Sequence, residues 1–278
     1  MTVRCMPQQA VTTGSSRAKL HRVTVRPRDV AAPAIHARVC ANSSSESFGS
    51  SLNRAMIMAP TMAAQLPIAA RRFSVPFGQR KTAFHVIGPS GAKVLMENLE
   101  KAYALDVKIR IEDEKLPPEG IAVKVEEFDK EGVVYEKRGV KVTAFEVNHG
   151  DAIKPAFGYR IDYKGHSAVI SGDTRYNQNV IKYGTGADLL IHEVAMAAPA
   201  LTQIPAMQRI IAHHTTPKEA GMVFAKAKPK LAVYTHIVLL GNDKIAEPSL
   251  DDLIAETRQT YDGPLEIGDT VTVHHFKP

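Results

Sequence analysis

Three short polar phrases, each at the end of a strand-like apolar run, constrain the fold of this chain more than any other feature. They are Asn148-His149-Gly150, Ser171-Gly172-Asp173-Thr174 and Thr235-His236-Ile237. Side chains placed just past strand ends gather on one rim of a sheet, where sheet-built active sites lie. Histidine and aspartate are ligands for zinc or a similar divalent ion, and an aspartate can bridge two ions. The sequence therefore predicts a metal site at His149, Asp173 and His236.

A second polar pair comes from neighbouring segments. His192-Glu193 ends a buried strand run, and His214 lies two residues before a predicted helix cap at Thr216. A histidine beside a helix N-terminus feels its positive end, which disfavours the protonated imidazole. A neutral His214 near Glu193 could position a water or a leaving group. The residues alone equally allow a hydrogen bond that only ties two loops together.

The net charge of +6 is misleading as a whole-chain number. Residues 1–80 contain ten Arg and one Lys against only Asp29 and Glu46, a balance of +9, whereas residues 81–278 carry −3. A nucleic-acid role inferred from the overall charge would therefore rest on the wrong segment. The two cysteines, Cys5 and Cys40, form neither a disulfide framework nor a Cys-x-x-Cys zinc motif.

Residues 1–80 and residues 81–278 are predicted to be different regions. The first has weak periodicity, serine clusters and Arg in place of Lys, whereas Lys outnumbers Arg eighteen to six after residue 80. Three interpretations of the first region stay open: a disordered basic extension, a targeting segment, or sequence translated out of frame or joined from elsewhere. No apolar run is long enough to span a bilayer. The compartment is not fixed by the sequence, and we favour the cytoplasm.

From residue 82 onward the hydrophobic pattern is strong. It predicts strands over 82–87, 121–128, 133–137, 140–147, 157–163, 167–171, 187–194, 231–235 and 271–276, and helices over 90–105, from 217 onward and over 250–261. The order is mixed, without a strict βαβ repeat, and this indicates a layered sandwich of sheets covered by helices. The turn Gly88-Pro89-Ser90-Gly91 is predicted to be a simple turn, with an anion site at the following helix as the alternative.

Taken in order, the polar phrases resemble those of the metallo-β-lactamase superfamily. The matching phrases are Phe84-His85-Val86-Ile87-Gly88-Pro89, His149 followed by Phe157-Gly158-Tyr159-Arg160, Ser171-Gly172-Asp173-Thr174, His192-Glu193, His214-Thr215-Thr216 and Thr235-His236. Within the superfamily, the likeness is to the branch that holds ribonuclease Z and arylsulfatase-like hydrolases. The resemblance implies an αββα sandwich with a hydrolytic site for two zinc ions.

The resemblance also implies a role for each site residue. His149 would bind the first metal, Asp173 would bridge the two, and His236 would bind the second. Glu193 and His214 would assist proton transfer to the leaving group.

One phrase of the superfamily is absent from the sequence. An upstream His-x-His-x-Asp-His cluster is expected shortly before residue 80, where His21 and His36 lack the companion residues. Without it, each metal would keep about two protein ligands where three or four are usual. We therefore expect weak metal binding.

The spacing of the phrases bears on the substrate. The step from residues 157–160 to Asp173 is one short hairpin, where ribonuclease Z proteins usually carry a long tRNA-handling insertion. This, with the −3 charge, favours a small anionic ester, as for arylsulfatase-like enzymes or phosphodiesterases, and disfavours nucleic acid. The alternatives are a ribonuclease Z-like tRNA 3′ endonuclease and a non-catalytic, truncated remnant. A homodimer is compatible with the sequence.

Overall fold

The computed structural model describes residues 56–57, by their backbone, and residues 81–268. Every described residue belongs to the same compact unit. The strand predicted over 271–276 lies outside the described residues. Within the described ranges, no helix is both long enough and apolar enough to cross a membrane.

The described residues form ten strands and seven α-helices. The strands are β1 (Met56–Ile57), β2 (Phe84–Pro89), β3 (Val123–Phe128), β4 (Gly132–Lys137), β5 (Val140–Glu146), β6 (Phe157–Tyr163), β7 (His166–Ile170), β8 (Leu189–Ala197), β9 (Leu231–Leu240) and β10 (Leu265–Ile267). The helices are α1 (Ala92–Ala102), α2 (Ala104–Asp113), α3 (Pro118–Ile121), α4 (Gln178–Gly184), α5 (Pro205–Ile211), α6 (Pro217–Ala227) and α7 (Leu250–Thr257).

The strands belong to two sheets. Strands β1, β2 and β3 form a parallel sheet in that order. The larger sheet has the order β10-β9-β8-β7-β6-β5-β4. Its pairs are antiparallel from β4 to β7 and parallel from β7 to β10. It follows that β5, β7, β8 and β9 all run in the same direction, so their carboxyl ends lie at one edge of the sheet.

Helices cover the outer faces of the two sheets. On β8 and β9, Leu190 and Tyr234 pack with Phe224 of α6 in the main core, while Leu189 and Val233 face a separate cluster on the opposite side. This alternation follows the two-residue period of a strand. Helix α1 packs on β2 and β3.

An aromatic contact joins the inner faces of the two sheets. Phe128 of β3 meets Phe157 of β6 with ring centroids 5.0 Å apart. The layers therefore follow one another as helix, sheet, sheet and helices, which is the predicted αββα arrangement.

The helix predicted over 90–105 is two helices in the structure. Helix α1 ends at Ala102, and Tyr103 lies outside helical geometry with φ −100° and ψ 9° before α2 begins.

The contacts at the start of α1 show whether the preceding turn, Gly88-Pro89-Ser90-Gly91, is free to bind an anion. The carboxylate of Glu127 accepts hydrogen bonds from the backbone N–H groups of Gly91 (2.8 Å) and Lys93 (2.9 Å). The chain's own carboxylate thus holds this helix end, and the alternative of an anion-binding turn is wrong.

The helix predicted to begin after Thr216 is confirmed. The Thr216 hydroxyl accepts from the N–H of Glu219 at 3.4 Å, and the Glu219 carboxylate accepts from the N–H of Thr216 at 3.0 Å. This reciprocal capping box satisfies two N–H groups at the helix end. It places α6 directly behind the segment that carries His214.

Asp188 ties the start of β8 to its neighbours. Its buried carboxylate accepts hydrogen bonds from the Ser167 N–H (2.7 Å) and from the Lys230 ammonium (2.6 Å). Burial would raise the pKa of Asp188, but the hydrogen bonds from Lys230 and Ser167 lower it below its ordinary value. Because the folded pKa is depressed, the stabilisation is present above the unfolded pKa and is lost as the pH falls through the folded pKa.

We expect Asp188→Asn to lower the free energy of unfolding by about 1–3 kcal/mol at neutral pH, because the charged hydrogen bonds to Ser167 and Lys230 are weakened. Urea denaturation of both proteins at pH 7 and near pH 3 measures the difference. The difference in unfolding free energy should shrink at the lower pH, because Asp188 of the unfolded wild type is then protonated and the stabilisation from its depressed folded pKa is partly lost. Asp243→Asn, an exposed loop carboxylate, is the control. An equal difference in unfolding free energy between wild type and Asp188→Asn at both pH values would contradict a stabilising role for the ionised carboxylate.

Candidate active site

The shared direction of β5, β7, β8 and β9 brings the predicted site residues to one edge of the large sheet. His149 follows the end of β5 and Asp173 follows the end of β7, as predicted. Glu193 lies on β8, and His214 precedes α6. Tertiary structure thus gathers site side chains, from His149 to His236, that are up to 87 residues apart in the sequence.

Two placements differ from the sequence-based expectation. Strand β8 continues to Ala197, so Glu193 is inside the strand and not at its end. Strand β9 continues to Leu240, so His236 is also inside a strand.

The pairing of β8 with β9 explains how His236 still reaches the edge. Glu193 pairs with Thr235 and Val194 pairs with Ile237, so His236 is an extra residue, and its φ is +45°. A bulge of this kind re-aims a side chain next to a site. No glycine marks the bulge, so its position could not be deduced from the sequence.

His149 is oriented by a backbone carbonyl. Its Nδ1 lies 2.9 Å from the carbonyl oxygen of His213. A carbonyl can only accept, so Nδ1 carries the proton and Nε2 keeps the lone pair that a metal would need. The ring of His213 lies against Gly150, where an added Cβ would be 3.1 Å from it. His213 positions His149 through a main-chain atom, and such a role leaves no signal in the sequence.

One oxygen of Asp173 faces both histidines. Its Oδ2 is 3.9 Å from Nε2 of His149 and 3.5 Å from Nε2 of His236. Zinc–ligand bonds of about 2.0–2.2 Å separate neighbouring ligand atoms in a tetrahedral site by roughly 3.3–3.6 Å. The donor types suit a divalent ion, and the distance from Asp173 to His236 falls within this range, whereas the distance from Asp173 to His149 is slightly longer.

The number of donors is smaller than a complete site requires. Residues 81–268 contain no group of three or more His, Cys, Asp or Glu side chains arranged to hold an ion. Asp173 forms one pair of donors with His149 and another with His236, and neither pair is a full coordination shell.

Glu193 and His214 form a close pair beside these donors. Glu193 is 1% exposed, and its Oε2 lies 2.8 Å from Nδ1 of His214. Its Oε1 accepts from the N–H groups of Thr215 (2.7 Å) and Thr174 (3.4 Å). Three contacts hold this buried carboxylate, so the imidazole of His214 has a fixed orientation.

The expected protonation of His214 was wrong. Burial would lower the pKa of His214, but the hydrogen bond to Glu193 and the negative charges of Glu193 and Asp173 raise it above its ordinary value. A full charge in direct contact outweighs the partial charge of a helix end. The ring centroid of His214 is 5.1 Å from that of His149 and 5.7 Å from that of His236, so this pair adjoins the candidate metal ligands.

The sequence model of the beta-lactamase superfamily domain matches residues 75–237, which is more than half of the chain. The chain belongs to the metallo-β-lactamase superfamily. All five predicted site residues lie within the matched region.

Relatives with similar sequences in this superfamily are named ribonuclease Z. The protein from Mycolicibacterium gilvum is 31% identical over 193 residues, which are 66% of this chain and 63% of that protein. The protein from Mycobacterium marinum is 27% identical over 198 residues, which are 69% of this chain and 67% of that protein. The chain thus spans less than two thirds of the length of the first of these relatives.

A solved structure supports the fold. The metallo-β-lactamase fold protein YhfI from Bacillus subtilis superposes with a TM-score of 0.51 at 18% identity, over 78% of this chain and 75% of that one. This likeness concerns the fold alone. It confirms the architecture predicted from the resemblance.

The backbone before Asp173 needs glycine. Gly172 has φ +65°, and an added Cβ would lie 2.5 Å from the carbonyl oxygen of Phe157. Gly186 also has φ +65° but has open space around the same position. Alanine substitutions at these two positions therefore distinguish the cost of backbone strain, which both share, from the cost of a steric collision, which only Gly172 has.

We expect Gly186→Ala to lower the free energy of unfolding by about 1–2 kcal/mol, the penalty of a left-handed conformation for an L-residue. Gly172→Ala should lose a further ~1–3 kcal/mol, because the methyl group collides with backbone. Urea denaturation of the two variants beside wild type makes the comparison. Equal losses in the two variants would show that the contact with Phe157 does not restrict this position.

Proposed function

We propose that this chain is a metal-dependent hydrolase that cleaves a phosphodiester. The observation that carries the proposal is the placement of the Glu193–His214 pair beside Asp173, whose Oδ2 faces the Nε2 atoms of His149 and His236. A proton donor next to paired metal ligands is an arrangement that supports metal-assisted ester hydrolysis. The ribonuclease Z relatives favour a phosphodiester over a sulfate ester.

His149, Asp173 and His236 would hold the metal, and zinc suits this donor set of imidazole and carboxylate. When bound, a divalent ion supplies Lewis-acid polarisation of the phosphoryl oxygen and lowers the pKa of water. The chain's own part is to keep these donors in place. The His213 carbonyl holds the ring of His149, and the bulge in β9 presents His236.

His214 would deliver the proton that the leaving group needs. Its Nδ1 is bound to Glu193, so Nε2 is the ring nitrogen available to the substrate. In hydrolysis, water forms a new P–O bond, the ester P–O bond breaks, and the departing oxygen takes the proton from Nε2. The proton released by water restores the ring. Glu193 is a positioning residue, since it acts on the substrate only through His214.

A second candidate function is a non-catalytic domain. Two observations favour it: the absent His-x-His-x-Asp-His phrase and the lack of a three-residue metal group among residues 81–268. Measurements of zinc binding and of phosphodiester hydrolysis by the purified chain distinguish the two candidate functions.

We expect zinc to bind weakly, with a dissociation constant above roughly 1 μM, because each ion meets about two protein ligands. Calorimetric titration of the chelator-treated chain measures this. Asp173→Asn should remove the binding, since the bridging carboxylate becomes a neutral amide. Asp243→Asn should bind zinc like wild type. Two tightly held ions in the purified protein would contradict the expectation.

We expect His214→Ala to slow phosphodiester hydrolysis according to the leaving group. An alkoxide needs a proton on departure and p-nitrophenolate does not, so kcat should fall about 10²–10⁴-fold for the dinucleotide ApA and far less for bis(p-nitrophenyl) phosphate. Both rates are measured with added zinc. Equal loss with both substrates would argue against a proton donor, and no zinc-dependent hydrolysis of either by wild type would reject the proposed function.

A further inference from the structure

A cleft opens beside His214. Its volume is about 370 Å³, and its lining includes Arg175, Tyr176, Ile211, His214 and Glu219. Binding sites for small ligands start at about 300 Å³, so this cleft suits one small group and not an extended polymer. Because His214 belongs both to the cleft and to the pair with Glu193, a group in this cleft would lie next to the proposed proton donor.

Arg175 is anchored at this cleft. Its backbone N–H donates to the carbonyl of Asn148 at 2.7 Å, and its Nε donates to the carbonyl of Ala212 at 2.5 Å. Its only charged contact among the described residues is Asp151, 3.7 Å away and 92% exposed, and such a pair is weak in water. A guanidinium has five N–H groups in a rigid fork that matches phosphate, so Arg175 keeps donors for an anion.

The other lining residues determine which chemical groups can be attached to an anion bound at Arg175. Tyr176 and Ile211 offer aromatic and aliphatic surface. The carboxylate of Glu219 is occupied by the N–H and hydroxyl of Thr216, at 3.0 and 2.8 Å. Its negative charge disfavours a ligand that is anionic throughout. The cleft thus combines the guanidinium of Arg175 with a mixed aromatic and aliphatic surface.

We propose that this cleft is the leaving-group subsite and takes a single nucleotide, whose own phosphate binds Arg175 while its ester oxygen meets His214. This inference rests on the proposed function and adds the identity of the leaving group to it. Arg175 then determines specificity, because it favours leaving groups that carry a phosphate of their own.

The test is binding of AMP and of adenosine, measured by calorimetry in EDTA so that bound metal does not contribute. Wild type should bind AMP at least tenfold more tightly than adenosine. Arg175→Gln should lose at least tenfold in AMP affinity and little in adenosine affinity. Arg138→Gln removes the same charge from the β4–β5 turn, at the end of β5 remote from His149, and should bind AMP like wild type.

Arg175→Lys distinguishes a lost charge from a loosened loop. Lysine keeps the charge but loses the bond from Nε to Ala212, so it should retain part of the AMP affinity if the charge binds phosphate. A lysine variant as weak as the glutamine variant, or undiminished AMP binding by Arg175→Gln, would overturn the proposal. If the chain binds AMP through Arg175 but hydrolyses no phosphodiester, the nucleotide-binding cleft is supported and the proposed hydrolase function is rejected.

Discussion

The buried carboxylate of Glu193 is the interaction on which the arrangement of the site depends. An ionised group at 1% exposure is stable only when its lone pairs are used, and Glu193 meets His214, Thr215 and Thr174. These contacts join β8 to the loop after β7 and to the segment before α6. A change at Glu193 would therefore disturb three segments together, because each depends on the same two oxygens.

The candidate metal ligands are held by main-chain geometry. The carbonyl of His213 sets the tautomer of His149, the left-handed Gly172 precedes Asp173, and a bulge presents His236. Backbone-held side chains keep their positions without a ligand, so little reorganisation is needed on binding. Rigid placement with few donors is consistent with a preformed but incomplete metal site.

The cleft lined by Arg175 and His214 adjoins the candidate metal ligands, because the ring of His214 lies beside those of His149 and His236. Its position follows from the same loop that carries Asp173, since Arg175 is two residues further along the chain. A ligand anchored by Arg175 and touching His214 would be positioned relative to Asp173 through a short, well-bonded segment. Orientation of this kind is one of the main ways in which binding lowers a reaction barrier.

The sequence by itself determined the strands from β2 to β8 to within a few residues, the start of β9 but not its last five residues, the capped start of α6, and the identity of the polar residues that meet at the sheet edge. These follow from local rules: the two-residue period of strands, the cap at Thr216, and the chemistry of His, Asp and Glu. Only the tertiary structure decided the break at Tyr103, the bulge at His236 and the raised pKa of His214. The bulge depends on the register between β8 and β9, and the raised pKa depends on Glu193 and Asp173, which lie far from His214 along the chain. Local sequence does not record such partners.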